Sequence, residues 1–269
     1  TNCDRDRSRG GAVMTARAQG RALIALLLVL PLAACVSNSQ RPPTSAHEAA
    51  DANMKLGVAY MQQGNLALAK DKLERAEKQN SRNPELQTSL AYLYERLSMP
   101  EKAEAHYEAA LRLDPANSQT SNNYAVYLCN HGKVDLALKR FEVAARDPLY
   151  STPWAAWANA GVCLRSAKRG LEANKYLEQA IAVRPNYAQA VMELGDLQIE
   201  QGHPDMAENT VARFMSMGLA TPEVLLVGLR AAVARGDKAA TDNYARRLRR
   251  DFPNSVQARS LAQLLQGKG

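Results

Sequence analysis

Residues 90–128 read LAYLYERLSMPEKAEAHYEAALRLDPANSQTSNNYAVYL, and their pattern decides the fold. Leu90-Ala91, Tyr94, Ala103, Tyr107 and Ala110 lead to Asp114-Pro115, and Tyr124-Ala125 and Leu128 then restart the series 34 residues later. Apolar positions three and four apart mark one face of a helix, so each series reads as two short amphipathic helices. Upstream, Leu56-Gly57, Tyr60, Gly64, Ala69, Leu73 and Ala76 hold the same places 34 residues earlier. Downstream, Gly132, Ala137, Phe141 and Ala144 complete a third copy. Trp157, Ala160-Gly161, Leu164, Ala173, Leu177, Ala180 and Pro185 form a fourth after a step of 36. Leu194-Gly195, Gly202, Ala207, Val211 and Phe214 give a fifth, and Gly228-Leu229, Gly236, Leu248 and Pro253 a sixth, each at a step of 34.

The period and its small and large residues resemble the tetratricopeptide repeat. Each position has a mechanical reason. Gly57, Ala91, Ala125, Gly161 and Gly195 on the first helix, and Ala69, Ala103, Ala137, Ala173 and Ala207 on the second, let paired helices approach closely. Tyr60, Tyr94, Leu73 and Tyr107 fill the space between them. Gly64, Gly132, Gly202 and Gly236 suit a left-handed turn, and Pro115, Pro185 and Pro253 end the second helices. The resemblance implies an all-α superhelix of six helix-turn-helix repeats: residues 50–83, 84–117, 118–153, 154–187, 188–221 and 222–255. One repeat cannot bury its own apolar face, so neighbours stack and the first helices line a concave surface. The pattern weakens late, with Gln198 at a bulky position, Leu229 at a small one and Thr241 at another. Residues 256–269 read as a short capping helix and tail.

Composition agrees with one elongated domain. The 269 residues are 46% hydrophobic but only 6% aromatic, so small residues rather than rings dominate the core. The formal charge is +7. Residues 1–34 carry five Arg against two Asp, so the remainder carries only +4. That is too mild for a dedicated nucleic-acid binder, and no partner nucleic acid is expected. Met14 opens a segment with Arg17 and Arg21, an apolar run from Leu23 to Leu30, and Leu32-Ala33-Ala34-Cys35. A basic start, a short apolar stretch and a small-residue site make an export signal over residues 14–34. Leu-Ala-Ala-Cys resembles a bacterial lipobox, which implies cleavage before Cys35 and a diacylglycerol thioether on its sulfur. Val36 in place of Asp then implies sorting to the outer membrane, by the lipoprotein-sorting machinery. Residues 1–13 are set aside as an overextended or non-native start, with Cys3. Residues 35–49, with Pro42-Pro43, read as the lipidated end and a flexible tether.

Catalytic motifs do not emerge. His47, His106, His131 and His203 form no metal-ligand spacing, and no Cys-x-x-Cys, nucleophile elbow or phosphate-binding glycine loop is present in the sequence. Glu101 and Glu104 read as solvated helix pairs. The chain is expected to be no enzyme and to carry no cofactor or metal. Arg246, Arg247, Arg249 and Arg250 form the densest charge run, readable as a solvated helix face or as a contact with an anionic membrane or glycan.

The stretches SNNYAVYLC (121–129), DPLYSTPW (147–154) and NAGVC (159–163) go beyond the repeat consensus. With the lipobox and six repeats they resemble the type IV pilus biogenesis and stability lipoproteins of the PilF/PilW family. This resemblance implies a pilotin. That is a monomeric outer-membrane lipoprotein on the periplasmic face, which binds the pilus secretin and promotes its localisation and multimerisation. The alternatives are a general periplasmic scaffold for envelope assembly and a lipoprotein of the barrel-assembly machinery. A carboxylate clamp is disfavoured, because Met54 and Val58 stand where Lys, Arg or Asn would be required. Ligand-facing positions of the repeat family, transferred here, are Met54, Val58, Met61, Tyr92, Asn122 and Val126; a small error of register would make them core instead. Cys129 and Cys163 lie on first helices of adjacent repeats, near enough either to bridge or to remain two buried thiols. The resemblance implies the bridge.

Overall fold

The computed structural model describes residues 45–266, with side chains through residue 261. Residues 42–269 form a compact unit of their own. Local chemistry sets where its helices begin. Ser45 caps α1 by accepting from the Glu48 amide at 3.2 Å. Asn65, Asn83, Asn117, Thr221 and Asp237 cap their helices in the same way, each satisfying an otherwise orphaned N–H. Pro84, Pro100, Pro153, Pro204 and Pro222 occupy first-turn positions, where the missing N–H costs nothing.

The helices are α1 (Ala46–Gln62), α2 (Leu66–Gln79), α3 (Pro84–Arg96), α4 (Pro100–Leu113), α5 (Ser118–Asn130), α6 (Val134–Arg146) and α7 (Pro153–Ser166). They continue as α8 (Gly170–Val183), α9 (Ala188–Glu200), α10 (Pro204–Ser216), α11 (Pro222–Arg235), α12 (Lys238–Asp251) and α13 (Val256–Gln266). Among the described residues there is no strand. Consecutive helices pack as antiparallel pairs, and the pairs stack in chain order. Successive first helices touch across repeats, as α5 does α7 and α7 does α9, while successive second helices do not pack closely on one another. First helices therefore line the inner side of the stack.

One boundary differs from the sequence reading. Residues 46–49, expected as the end of a tether, are instead the first turn of α1, because Ser45 caps the helix by accepting from the Glu48 amide. The rest of the tether, the export segment and Cys35 lie outside the described residues.

The small-residue positions act as contact points. A Cβ added at Gly161 would lie 2.5 Å from Leu177 Cγ, and one at Gly57 would lie 2.6 Å from Leu73 Cγ. In the sixth pair the close approach falls at Gly228, against Tyr244 Cε1 at 2.5 Å, one residue before the expected Leu229. That shift explains the weak match there. Leu229 is instead an ordinary buried core residue. Gln198 is also buried, and it accepts a hydrogen bond from the Thr210 hydroxyl at 3.0 Å, so a polar pair fills the expected apolar site. The apolar residues form two clusters, one from Met54 to Leu197 and one from Val191 to Leu261, and Ile181 packs on both.

Candidate partner-binding groove

On the inner side of the first three repeats, α1, α3 and α5 leave a groove of about 280 Å³. Val58, Met61 and Gln62 supply one wall. Thr88, Ser89, Tyr92 and Arg96 come from α3, and Asn123 from α5. The spacing 88, 92, 96 places one α3 residue per turn on this face. Tyr92 is 50% exposed, a large ring left in water that the core could have taken. Bonding groups surround it. Arg96 Nη1 donates to the Met61 carbonyl at 2.8 Å, which fixes the guanidinium at the groove's end. The Thr88 and Thr120 hydroxyls share a hydrogen bond at 2.9 Å, tying α3 to α5. Gln119 Nε2 donates to Asn123 Oδ1 at 2.9 Å.

Behind the groove, phenol rings hold the helices in place. Tyr107 stacks on Tyr124 with centroids 5.3 Å apart and donates from its hydroxyl to Glu95. Burial pushes the Glu95 carboxyl above its ordinary range, opposed by that hydrogen bond. Desolvation raises the Tyr107 hydroxyl as well, so it stays protonated and able to donate.

Of the six residues read as ligand-facing, Val58, Met61 and Tyr92 meet at this groove. Met54, Met61, Asn122 and Val126 need correction. Met54 is 6% exposed and belongs to the core. Met61, at 4%, is also core and offers the groove only an edge. Charges placed at these two positions would disrupt packing, contrary to the expectation of a free surface. Asn122 is buried and accepts from Asn159 Nδ2 on α7 at 3.1 Å; its neighbour Asn123 lines the groove instead. Val126 is half-buried against the core and lies outside the groove's lining. Thr88 was legible in principle, since it sits one 34-residue period after Met54. Arg96 was not, because its role depends on a carbonyl 35 residues away.

The inner side of the later repeats differs in kind. Arg165 on α7 pairs with Glu193 at 2.5 Å and with Glu200 at 2.6 Å, both on α9. Arg230 on α11 pairs with Asp196 at 2.8 Å. The hydrogen bond from Arg165 holds the Glu200 carboxyl below its usual range, while burial raises Asp196 despite Arg230. These charges are satisfied within the fold.

Cys129 on α5 and Cys163 on α7 are joined by a disulfide, with Cα atoms 5.8 Å apart. It fastens the third repeat to the fourth, across the long connection at 147–152. Glu104 takes Lys133 of the next repeat at 2.5 Å, so it is an inter-repeat contact and no mere solvated pair. Among the described residues no group of His, Cys, Asp and Glu has metal-holding geometry, and no helix is long and apolar enough to cross a membrane.

Comparison with known proteins places this geometry. Family profiles described as tetratricopeptide repeat match residues 45–84 and 54–118, 106–139 and 164–216. The type IV pilus assembly protein PilF of Pseudomonas aeruginosa is 27% identical over 241 residues, spanning 88% of this chain and 96% of that protein. The crystal structure of PilW, described as a widely conserved type IV pilus biogenesis factor, superposes with a TM-score of 0.64 at 26% identity. That match covers 79% of this chain and 98% of PilW. The P. aeruginosa PilF structure gives 0.63 at 26% identity, over 81% of this chain and 99% of its own.

Proposed function

The chain belongs to the tetratricopeptide-repeat proteins and is a homologue of PilF and PilW, and from that premise we propose that it serves type IV pilus biogenesis as an outer-membrane pilotin. In this reading the lipid on Cys35 holds the chain at the periplasmic face of the outer membrane. The groove of the first three repeats holds a segment of the pilus secretin, and the anchored pair assembles into multimers. No bond is made or broken; the work is recognition and delivery.

The observation that carries the reading is the groove around Tyr92. A half-exposed aromatic ring beside an oriented guanidinium and several hydroxyls is suited to an extended peptide, offering apolar contact and backbone hydrogen bonds together. The match to PilF over most of both chains supports the pilus assignment.

The test is Tyr92→Ala in the native organism, scored for heat-stable secretin multimers and surface pili. Tyr92 is not a core residue, so helical content and melting temperature should stay close to those of the parent while multimers fall steeply. Normal multimers in the variant would reject the groove as the secretin site. Co-purification from solubilised outer membranes separates the alternative: secretin as the main partner supports the pilotin, and a broad mixture of envelope proteins supports a general scaffold.

A further inference from the structure

We propose that the outward face of α12 is a contact site for the phosphate headgroups of an anionic bilayer. Helical spacing turns Tyr244, Ala245 and Leu248 into the core and leaves Asn243, Arg246, Arg249 and Arg250 exposed, with Arg247 between. These five residues line a shallow depression of about 590 Å³, and no apolar side chain contributes to it.

The charge balance at this face is the reverse of that around three other arginines, each of which holds two carboxylates: Arg165 holds Glu193 and Glu200, Arg169 holds Asp135 and Glu172, and Arg235 holds Asp205 and Glu208. On α12 the ratio inverts. Arg250 meets Asp251 at 2.6 Å, and Arg247 meets the same carboxylate at 3.7 Å. Arg246 and Arg249 have no ion pair among the described residues. Like charges three and four residues apart repel along a helix. The negative end of the helix dipole amounts to about half a charge and does not offset four cations. The fold thus maintains a cationic cluster in which one carboxylate, Asp251, serves two of the four guanidiniums.

Its chemistry selects the ligand. A guanidinium offers two parallel N–H donors that match phosphate oxygens, and it sheds water more easily than an ammonium. An acidic protein partner would also supply anions, but a stable protein interface builds on a desolvated apolar or aromatic centre, and this face has none. A headgroup layer asks only for charge and hydrogen bonds. The site does not depend on the secretin reading, since it lies in the sixth repeat and the groove in the first three.

Residues 36–269 contain the whole compact unit and lack the apolar export segment, so purified protein of that span isolates the effect. It should sediment with phosphatidylcholine vesicles containing one-third phosphatidylglycerol, weakly or not at all with pure phosphatidylcholine, and less as salt rises. Each arginine removed should lower the partition coefficient about fivefold. Arg246→Gln/Arg249→Gln, with unchanged circular dichroism, should therefore bind more than tenfold more weakly, and Arg246→Lys/Arg249→Lys should largely retain binding. Equal binding to neutral vesicles, undiminished binding by the Gln variant, or no sedimentation at all would overturn the proposal. Capture by immobilised poly-glutamate without vesicle binding would assign the face to an acidic polypeptide and overturn it too.

Discussion

At the turn between the two helices of each pair, a single residue takes a left-handed conformation. Gly64, Gly132, Gly202 and Gly236 hold this place in four repeats, with φ between 74° and 80°. Ser98 and Lys168 hold it in the other two, at φ 55° and 62°. A Cβ in this region crowds the following carbonyl, at a cost of about 1–2 kcal/mol. Lys168→Gly is therefore expected to stabilise the protein by about 1 kcal/mol after the added chain entropy of glycine is counted. Thermal denaturation reads this as a rise in melting temperature, and a fall would show that the Lys168 side chain has a compensating role. His106 makes a second argument at this scale. Its ring stacks on Tyr94 with centroids 5.2 Å apart, and Nδ1–H donates to Gln87 Oε1 at 2.6 Å. Burial lowers its pKa below the ordinary 6.5, helped by the Lys102 charge and opposed by Glu77. The folded state thus resists a proton that the unfolded chain accepts. Stability should hold above pH 6.5 and decline as pH falls below it. His106→Gln should flatten the part of that decline just below pH 6.5, and an unchanged pH profile would remove His106 as its source.

Among the elements, α1 shows what a stack does to its own end. Leu90 on α3 lies in the core and is 0% exposed, whereas Leu56, its equivalent on α1, with no repeat before it among the described residues, is 48% exposed. Leu90→Ala should cost about 2–5 kcal/mol through lost contacts and a cavity. Leu56→Ala should cost about 0.5 kcal/mol or less, as surface changes do. Urea unfolding of the two variants distinguishes them, and a large loss at Leu56 would indicate that a further element covers α1. At the opposite end α13 supplies the cover, with Leu261 buried in the second apolar cluster.

At the scale of the molecule, the disulfide is the one covalent cross-link between repeats among the described residues. Stacked repeats contact only their neighbours, so strain or local opening spreads along the array unless something fastens it. The Cys129–Cys163 bridge closes a 34-residue separation. In the chain-entropy account it contributes about 3–4 kcal/mol. Cys129→Ser/Cys163→Ser, or the parent protein under reductant, should unfold at a clearly lower guanidinium concentration. Coincident transitions for oxidised and reduced protein would mean that the bridge adds nothing to stability.

The all-helical repeat was legible in the chain alone, because a 34-residue alternation of small and large residues is a local, periodic signal that stacking must respect. The sequence also marked the ends of three second helices, through Pro115, Pro185 and Pro253, whose effect is local. It did not settle which side of each first helix faces the groove. A helix turns about 100° per residue, so moving one position from Asn122 to Asn123 exchanges a buried side chain for a groove-lining one. The same rotation carries Met54 into the core, where packing claims a large apolar side chain. It likewise moves the sixth close approach from Leu229 to Gly228, where Tyr244 leaves no room for a Cβ. Arg96 shows the limit most plainly. It reaches a carbonyl 35 residues away, and only the tertiary structure brings the two together, since that contact depends on how neighbouring repeats stack and leaves no mark in the local pattern.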